Sequence, residues 1–535
     1  MSIKYEQLPW TSRFVRDYCH AFDQLGDFFL GSPVSSTSWA KAFEARRSHR
    51  PDRAVADALI EQLRKRGAPS AAQNCASQLR DDRAVAVVTG QQAGLFGGPF
   101  FTLLKALTTI KLARRLAEEH QTPIVPLFWI DAEDHDLSEI ANCQVLDASL
   151  APVQVTLPID SVPGTTAASV ELNDSIISTV SHLRDALAPT EFTEEIFAAL
   201  AQVYTPGVRL VDAFARWLDR ILGHHGLVVY DASDPATKPL VRALFARELE
   251  APGKTAQLAT RAGAALESKG YHAQVSIEND MVALFRLNVV RQPIRLTDSG
   301  FLTGGQTLSA DDMLAELRSD PSSFSPNVLL RPITQDTLFP TVAYVAGPNE
   351  LAYLGQLRQV YATFDVPMPV IYPRASVTVV DNATVKFLTR YEMEFGRLQS
   401  QDESGLNALL SSQLPAEVDL AATAVEREIA DRLAALAVTV QTIDPTLAGT
   451  LASTRSRMER ELRNLRAKII QAAKRRDKTL RRQFNRTRAQ SFPAGAPQER
   501  SIAGIYLLNQ HGFAFVDRLL EKLPLEPGQH WLLTV

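Results

Sequence analysis

The sequence predicts an α/β protein: a parallel sheet with helices on its faces, two inserted connecting segments, and a C-terminal α-helical coiled coil. Three observations carry that expectation. Residues 84–89 (AVAVVT) form a β-branched run, residues 100–119 place Leu103, Leu107, Ile110 and Ala113 on one helical face, and residues 123–130 (PIVPLFWI) form a second apolar run. This β-α-β order is the unit of a parallel sheet. Apolar runs of the same kind recur as far as residue 373, separated by stretches of different texture. Beyond them, Leu451, Met458, Leu462, Leu465, Ile469 and Ala472 step by seven, four, three, four and three, the spacing of a heptad seam.

Taken in chain order, residues 1–80 read as a helical segment packing on the core, broken at Pro33, Pro51 and Pro69. Residues 81–384 hold the sheet, with further strands in 226–231 (GLVVYD), 342–347 (VAYVAG) and 367–372 (PMPVIY), and insertions near 151–173 and 251–326. The first insertion suggests alternating short strands, and the second carries HAQVSIE, MVALFRL and PIRLTD. Residues 385–490 read as an antiparallel coiled coil, with one helix within about 387–436, a turn around Pro445 and a basic face over 455–488. A solvated face explains the basic residues, or a contact with nucleotide, RNA or acidic protein. Residues 491–535 return to the core.

At 535 residues the chain exceeds one ordinary core, and its 45% hydrophobic and 22% charged residues are those of a globular protein. A net charge of -4 gives no global attraction to nucleic acid or membrane, so nucleic acid is not expected as a partner and any such contact would have to be local. Cys19, Cys75 and Cys143 form no C-x-x-C pair, and no apolar run reaches the length of a membrane span. A cytoplasmic protein is expected.

The candidate chemistry gathers where strands end. The first strand runs into Thr89-Gly90-Gln91-Gln92 and a loop with Gly94, Gly97 and Gly98, and the helix after it carries Lys105. Glycines there suit either a backbone cradle for phosphate or carboxylate, or a tight strand-to-helix turn. The spacing fits neither a Walker A loop nor the dinucleotide fingerprint. The second strand ends in Asp131-Ala132-Glu133-Asp134-His135-Asp136. Four acids and a histidine so close repel unless a cation, a basic substrate or shared protons relieve them. Glu133, Asp134, His135 and Asp136 are candidates for general acid or base, Mg²⁺ ligand or ammonium anchor. Alternatively, Asp136 or Ser138 caps the next helix and His135 is structural. Zinc is a weaker fit, because His120 and His182 lack ligand spacing. Further polar residues at strand ends are Asp231, Asn349 with Glu350, and Arg374; Arg331, Gln335 and Asp336 lie in the stretch NVLLRPITQD. Each of these also fits a turn, a helix cap or a buried polar cluster.

Together, VVTGQQAGLFGGPFFTLLKAL, VPLFWIDAEDHDLSEI, GYHAQV, FSPNVLLRPITQD, YVAGPNELAYLGQL and MPVIYPRAS resemble, in order, the cysteine ligase family of bacillithiol biosynthesis (BshC). The resemblance implies a Rossmann-like core with two connecting insertions, a coiled coil used in homodimerisation, and addition of L-cysteine to glucosaminyl-malate. Asp131 departs from it, standing where small residues are common. Amide formation requires an activated carboxyl, so ATP, with Mg²⁺, is the expected cofactor. The glycine loop and Lys105 would then face phosphate, the acids would hold ammonium or Mg²⁺, and His135 would take the amine proton. The alternatives are a metal-assisted hydrolase using the EDHD cluster and a non-enzymatic binding protein working through its coiled coil.

Overall fold

The computed structural model describes residues 1–534 apart from 49, 276, 277, 279, 414, 415, 445 and 477. The chain divides into two units, residues 1–379 with 498–535, and residues 380–497.

The first unit is built on a parallel sheet of five strands: β1 (Val85–Gln91), β2 (Ile124–Ile130), β3 (Val228–Asp231), β4 (Thr341–Ala346) and β5 (Val370–Pro373). Their order across the sheet is β5-β4-β1-β2-β3, every neighbouring pair parallel. β2, β3, β4 and β5 are buried along their whole length, the pattern of strands covered on both faces. Helix α1 (Phe100–His120) links β1 to β2 and is itself largely buried. Its Leu103, Leu107 and Ile110 join the larger apolar cluster, whereas Ala113 joins a second one with Leu112 and Leu116. The single face expected for these four residues is therefore shared between two cores.

Connections between sheet strands carry the insertions. Within residues 151–173 the structure has one strand, Pro152–Thr156, paired antiparallel with Asn142–Leu146 just upstream. The alternating strands expected there are replaced by loop and a short turn of helix, with an isolated antiparallel backbone β-bridge between Glu171 and Arg209. The second insertion forms an antiparallel five-stranded sheet in the order Gln306–Leu308, Gly300–Thr303, Arg291–Thr297, Met281–Leu287, Phe324–Pro326. MVALFRL and PIRLTD supply two of its strands. Of HAQVSIE, His272 to Val275 and Glu278 are irregular, and Ser276 and Ile277 lie outside the described residues.

The N-terminal segment opens with a strand rather than a helix. Ser2–Lys4 pairs antiparallel with Gln529–Leu533, which runs parallel to Ser376–Val379. The two ends of the chain are thus tied to each other and to the segment following β5.

In the second unit, two long helices, α4 (Ala416–Ile443) and α5 (Leu447–Arg476), pack against each other. Only three residues join them, which permits packing only as an antiparallel pair. Pro445, expected at the turn, lies outside the described residues. Much of the heptad seam is uncovered within one chain: Met458 and Leu465 are 42% and 54% exposed. On the basic stretch Arg455 pairs with Glu459 at 2.9 Å, Arg481 with Glu403 at 3.1 Å and Arg486 with Asp381 at 2.8 Å. No helix among the described residues is long and apolar enough to cross a membrane.

Candidate active site

A cavity of about 700 Å³ opens at the carboxyl ends of the parallel strands, where open α/β sheets bind ligands. Gly90 and Gln91 reach it from β1, Trp129 and Asp131 from β2, Tyr344 and Gly347 from β4, and Arg374 from the end of β5. The inserted antiparallel sheet supplies a facing wall with Phe285, Arg291 and Arg295, and Arg500 enters from the C-terminal segment. Helix α2 (Arg331–Leu338) brings Arg331, and helix α3 (Pro348–Leu354) brings Asn349, Glu350 and Tyr353.

Of the residues singled out in the sequence, Gly90, Gln91, Gln92, Lys105, Asp134, His135, Arg331, Asn349, Glu350 and Arg374 line this cavity. Lys105, 2% exposed, donates to the Gly90 carbonyl at 2.7 Å and to Gln91 Oε1 at 2.9 Å, and forms an ion pair with Glu350. Three acceptors saturate its ammonium, so it does not project toward a phosphate. Glu350 also accepts from the Tyr344 hydroxyl and the Gly347 amide, both at 2.7 Å. Burial alone pushes its carboxyl up; Lys105 and these donors outweigh that and hold it below the ordinary range. It is both helix cap and ion-pair partner.

The other expected residues do not reach the cavity, each for a local reason. Thr89 donates to the Val345 carbonyl at 2.8 Å, within the sheet. Asp231 accepts from the amide and hydroxyl of Ser233 at 2.9 and 2.6 Å and from Arg209 at 3.1 Å, so it closes a turn. Gln335 and Asp336 bond each other at 2.9 Å, and Asp336 also accepts from Tyr361 at 2.6 Å, in the interior.

The glycine loop is a turn. Its amides point inward: Gly94 to the Gln92 carbonyl at 2.9 Å, Gly97 to Gly94 at 3.1 Å, Gly98 to Leu95 at 3.1 Å, and Phe100 to Ile502 at 2.8 Å. A Cβ on Gly94 would lie 2.8 Å from Gly98 Cα, and Gly98 has φ of 71°. Close packing of the loop on itself, rather than ligand approach, accounts for these glycines.

The acidic stretch after β2 splits. Glu133 turns inward to an ion pair with Lys238, whose ammonium also donates to the Phe324 carbonyl at 3.0 Å. Burial pushes the Glu133 carboxyl up against the pull of Lys238. Asp136 caps the helix Leu137–Ile140, accepting from the Glu139 amide at 3.3 Å and the Ser138 hydroxyl at 2.7 Å. Of Glu133, Asp134, His135 and Asp136, Asp134 and His135 face the cavity. Asp134 accepts from Gln92 and, at 2.7 Å, from the His135 amide. Arg291 donates to His135 Nδ1 at 3.4 Å and stacks 4.0 Å from the Phe285 ring. The same His135 nitrogen lies 3.6 Å from Asp134 Oδ1, so Arg291 and Asp134 together fix the ring at the cavity edge.

Among the described residues, three metal-ligating side chains converge at His224, His225 and Asp517, and none of them lines the cavity. Among the described residues, Glu133, Asp134, His135 and Asp136 do not converge as three metal-ligating side chains.

Sequence reasoning left out of the site Asp131, Tyr344, Tyr353, Arg291, Arg295 and Arg500. Asp131 had a local signal: on β2 Trp129 and Asp131 face the cavity, while Ile130 and Ala132 face the apolar core, the period of a strand. The Asp131 side chain has neither a hydrogen bond nor an ion pair among the described residues, and burial pushes its carboxyl up while Arg331 opposes the shift. Arg331, 8% exposed, touches Gln335 and Tyr353 at 3.3 Å and Tyr344 at 3.5 Å but no carboxylate within 4.0 Å. Arg374 pairs with Glu499 at 2.8 Å, yet its buried Nε lacks an acceptor.

A parallel sheet with a ligand-sized cavity at its carboxyl ends, an inserted sheet across that cavity and a separate helical-hairpin unit define a Rossmann-like enzyme class with a coiled-coil appendage. The chain belongs to the BshC family of bacillithiol biosynthesis: residues 1–375 match its N-terminal Rossmann-like domain and residues 377–535 its C-terminal coiled-coil domain. It is 35% identical to a Salinibacter ruber protein named "Putative cysteine ligase BshC" over 97% of this chain and 95% of that one. Proteins of the same name from Chlorobaculum tepidum and Geobacillus thermodenitrificans are 33% and 29% identical, covering 90% and 97% of this chain and 88% and 97% of their own.

Proposed function

We propose that the chain is an amide-forming ligase that joins L-cysteine to glucosaminyl-malate to give bacillithiol, with ATP activating the cysteine carboxyl. The observation that supports this reading, beside family membership, is a cavity whose wall presents charges of both signs outside any ion pair among the described residues, Asp131 and Arg331, together with an Arg374 Nε that has no acceptor among them. Zwitterionic substrates and a phosphorylated intermediate need both signs.

The residues present fit a nucleotide phosphate through Arg374 Nε, a buried donor without an acceptor, and through Arg500, which stands with Arg374 beside the Phe101 ring. Mg²⁺ arriving with ATP would take its protein oxygen from Asp134. ATP supplies the leaving group that turns the carboxyl into an electrophile. As the amine displaces the leaving group from the activated carboxyl, His135, held by Arg291, takes the proton that the amine loses. The glycine loop takes no part beyond fixing the strand-to-helix turn. We place the reaction in the cytoplasm, in keeping with the free thiols of Cys19, Cys75 and Cys143.

A homodimer through the coiled coil belongs to the same proposal. A groove of about 390 Å³ between α4 and α5 is lined by Ala421, Val425, Leu462, Leu465 and Ile469, and Leu420 and Val438 are each 69% exposed. A second copy would cover this surface. Light scattering of wild type should give a dimer, and Leu462→Glu with Leu465→Glu a monomer; a wild-type monomer at micromolar concentration removes the dimer.

The activity is tested with purified protein, ATP, Mg²⁺, L-cysteine and glucosaminyl-malate, following the thiol product by mass spectrometry and nucleotide cleavage together. Product formed with one nucleotide cleaved per amide is expected. A folded, dimeric protein that yields neither product nor nucleotide cleavage overturns the reading.

A further inference from the structure

Two of the charged groups on the cavity wall, of opposite sign, make no ion pair within 4.0 Å among the described residues. Asp131 stands at the end of β2, positioned by its own amide on the Gln91 carbonyl at 3.0 Å, with nothing donating to its carboxylate among the described residues. Arg331 stands at the start of α2, its guanidinium braced by Gln335, Tyr344 and Tyr353, with no carboxylate within 4.0 Å among them. Other charges on the cavity wall are paired, Lys105 with Glu350, Arg374 with Glu499 and Arg295 with Glu278 and Asp280, whereas Glu139 and Arg500 line it as exposed side chains. Arg331 is buried and Asp131 half-buried, and leaving two such charges without an ion pair is costly in a folded protein unless a ligand completes them.

We infer that Asp131 and Arg331 form a receptor for a zwitterion, Asp131 taking an ammonium group and Arg331 a carboxylate of the same molecule. Arginine presents a planar fork that matches a carboxylate, and the tyrosine hydroxyls hold that fork in place. An aspartate without donors accepts an ammonium without first giving up a bond. The shared chemistry, a primary ammonium and a carboxylate within one small molecule, occurs in both substrates of the proposed reaction, cysteine and the amino-sugar malate. The assignment rests on that functional reading.

Calorimetry on the full chain separates the two sources. L-cysteine and glucosaminyl-malate are titrated individually into wild type, Asp131→Asn and Arg331→Met, with thermal melts confirming that each variant is folded. Each variant should weaken one of the two ligands tenfold or more. The charge-deleted probes then assign the contacts. If cysteine is the occupant, Asp131→Asn leaves binding of 3-mercaptopropionate unchanged and Arg331→Met leaves binding of cysteamine unchanged. If the amino-sugar malate is the occupant, Asp131→Asn leaves binding of its N-acetylated form unchanged. A general structural defect would instead weaken the full ligand and the deleted probes alike, and that result overturns the receptor. Wild-type binding that both variants retain overturns the receptor alone. A wild type that binds neither substrate overturns the functional reading and the receptor with it. Should Arg331→Met fail to fold, Arg331→Lys keeps the charge but loses the fork, and undiminished binding by it and by Asp131→Asn has the same overturning force.

Discussion

Asp131 and Glu133 are two residues apart, yet one faces an open cavity and the other the interior. Both carboxyls are pushed up by burial. Glu133 has a buried ammonium bonded to it, while the Asp131 carboxylate has neither a hydrogen bond nor an ion pair among the described residues. The difference teaches how to separate structure from function in a cluster that looks uniform in sequence. A buried carboxylate whose cation comes from the fold is part of the folded state, and one left incomplete at a cavity wall is available to a ligand.

The sharpest way to break that comparison is to remove the cation. Lys238→Met leaves Glu133 charged and unpaired in the interior, and removing one partner of a buried pair costs about 3–5 kcal/mol. Denaturant unfolding should show that loss, whereas Asp131→Asn, which removes a charge that burial disfavours, should not lower stability. Comparable losses in the two variants would mean that Asp131 also has a structural partner, and the contrast would fall.

A third carboxylate sharpens the contrast because it has neither cation nor opening. Glu248 is 1% exposed; the Thr255 hydroxyl donates to it at 2.5 Å and the Ala283 amide at 2.8 Å. Burial pushes its pKa up to about 7 from 4.5. The folded state therefore holds this proton more tightly than the unfolded chain does. Its contribution to stability is fully present below about pH 4.5 and is lost as pH rises through about 7, a change of about 3 kcal/mol. Glu248→Gln keeps both hydrogen bonds and has no proton to lose. Its advantage over wild type should grow between pH 4.5 and pH 8 to about 3 kcal/mol, measured by urea unfolding at both pH values. A difference that does not change with pH would show that Glu248 is not the titrating group.

The fold was legible because periodicity reports burial directly. The β-α-β start and the later strands follow from continuous apolar runs, and the long helices from the heptad spacing. The site was legible only in part. Glycine at positions 94 and 98 is demanded equally by a cradle and by a self-packed turn, and only the directions of the loop amides distinguish them. The EDHD stretch drew attention by density of charge, but a chain leaving a strand turns each successive side chain a different way. Arg291 and Arg295 were missed because nothing local to an inserted strand reports that its sheet lies across the cavity. Asp131 could have been found by counting alternate residues back from the strand end.

The smallest expected effect concerns Asp136, the last acid of the cluster. Its side chain accepts from the Glu139 amide and the Ser138 hydroxyl, and it is exposed, so its role is to close the first turn of the helix Leu137–Ile140. Loss of such a cap costs about 1 kcal/mol. Asp136→Ala should lower stability by that amount in chemical unfolding and leave ligase turnover per folded molecule unchanged. Asp136→Asn retains the acceptor oxygen and should match wild type in both measurements. The Asn variant is the informative one, because it keeps the cap and removes only the charge. A tenfold loss of turnover in folded Asp136→Asn would mean that the charge acts on the reacting groups, and Asp136 would join Asp131 on the functional side of the comparison.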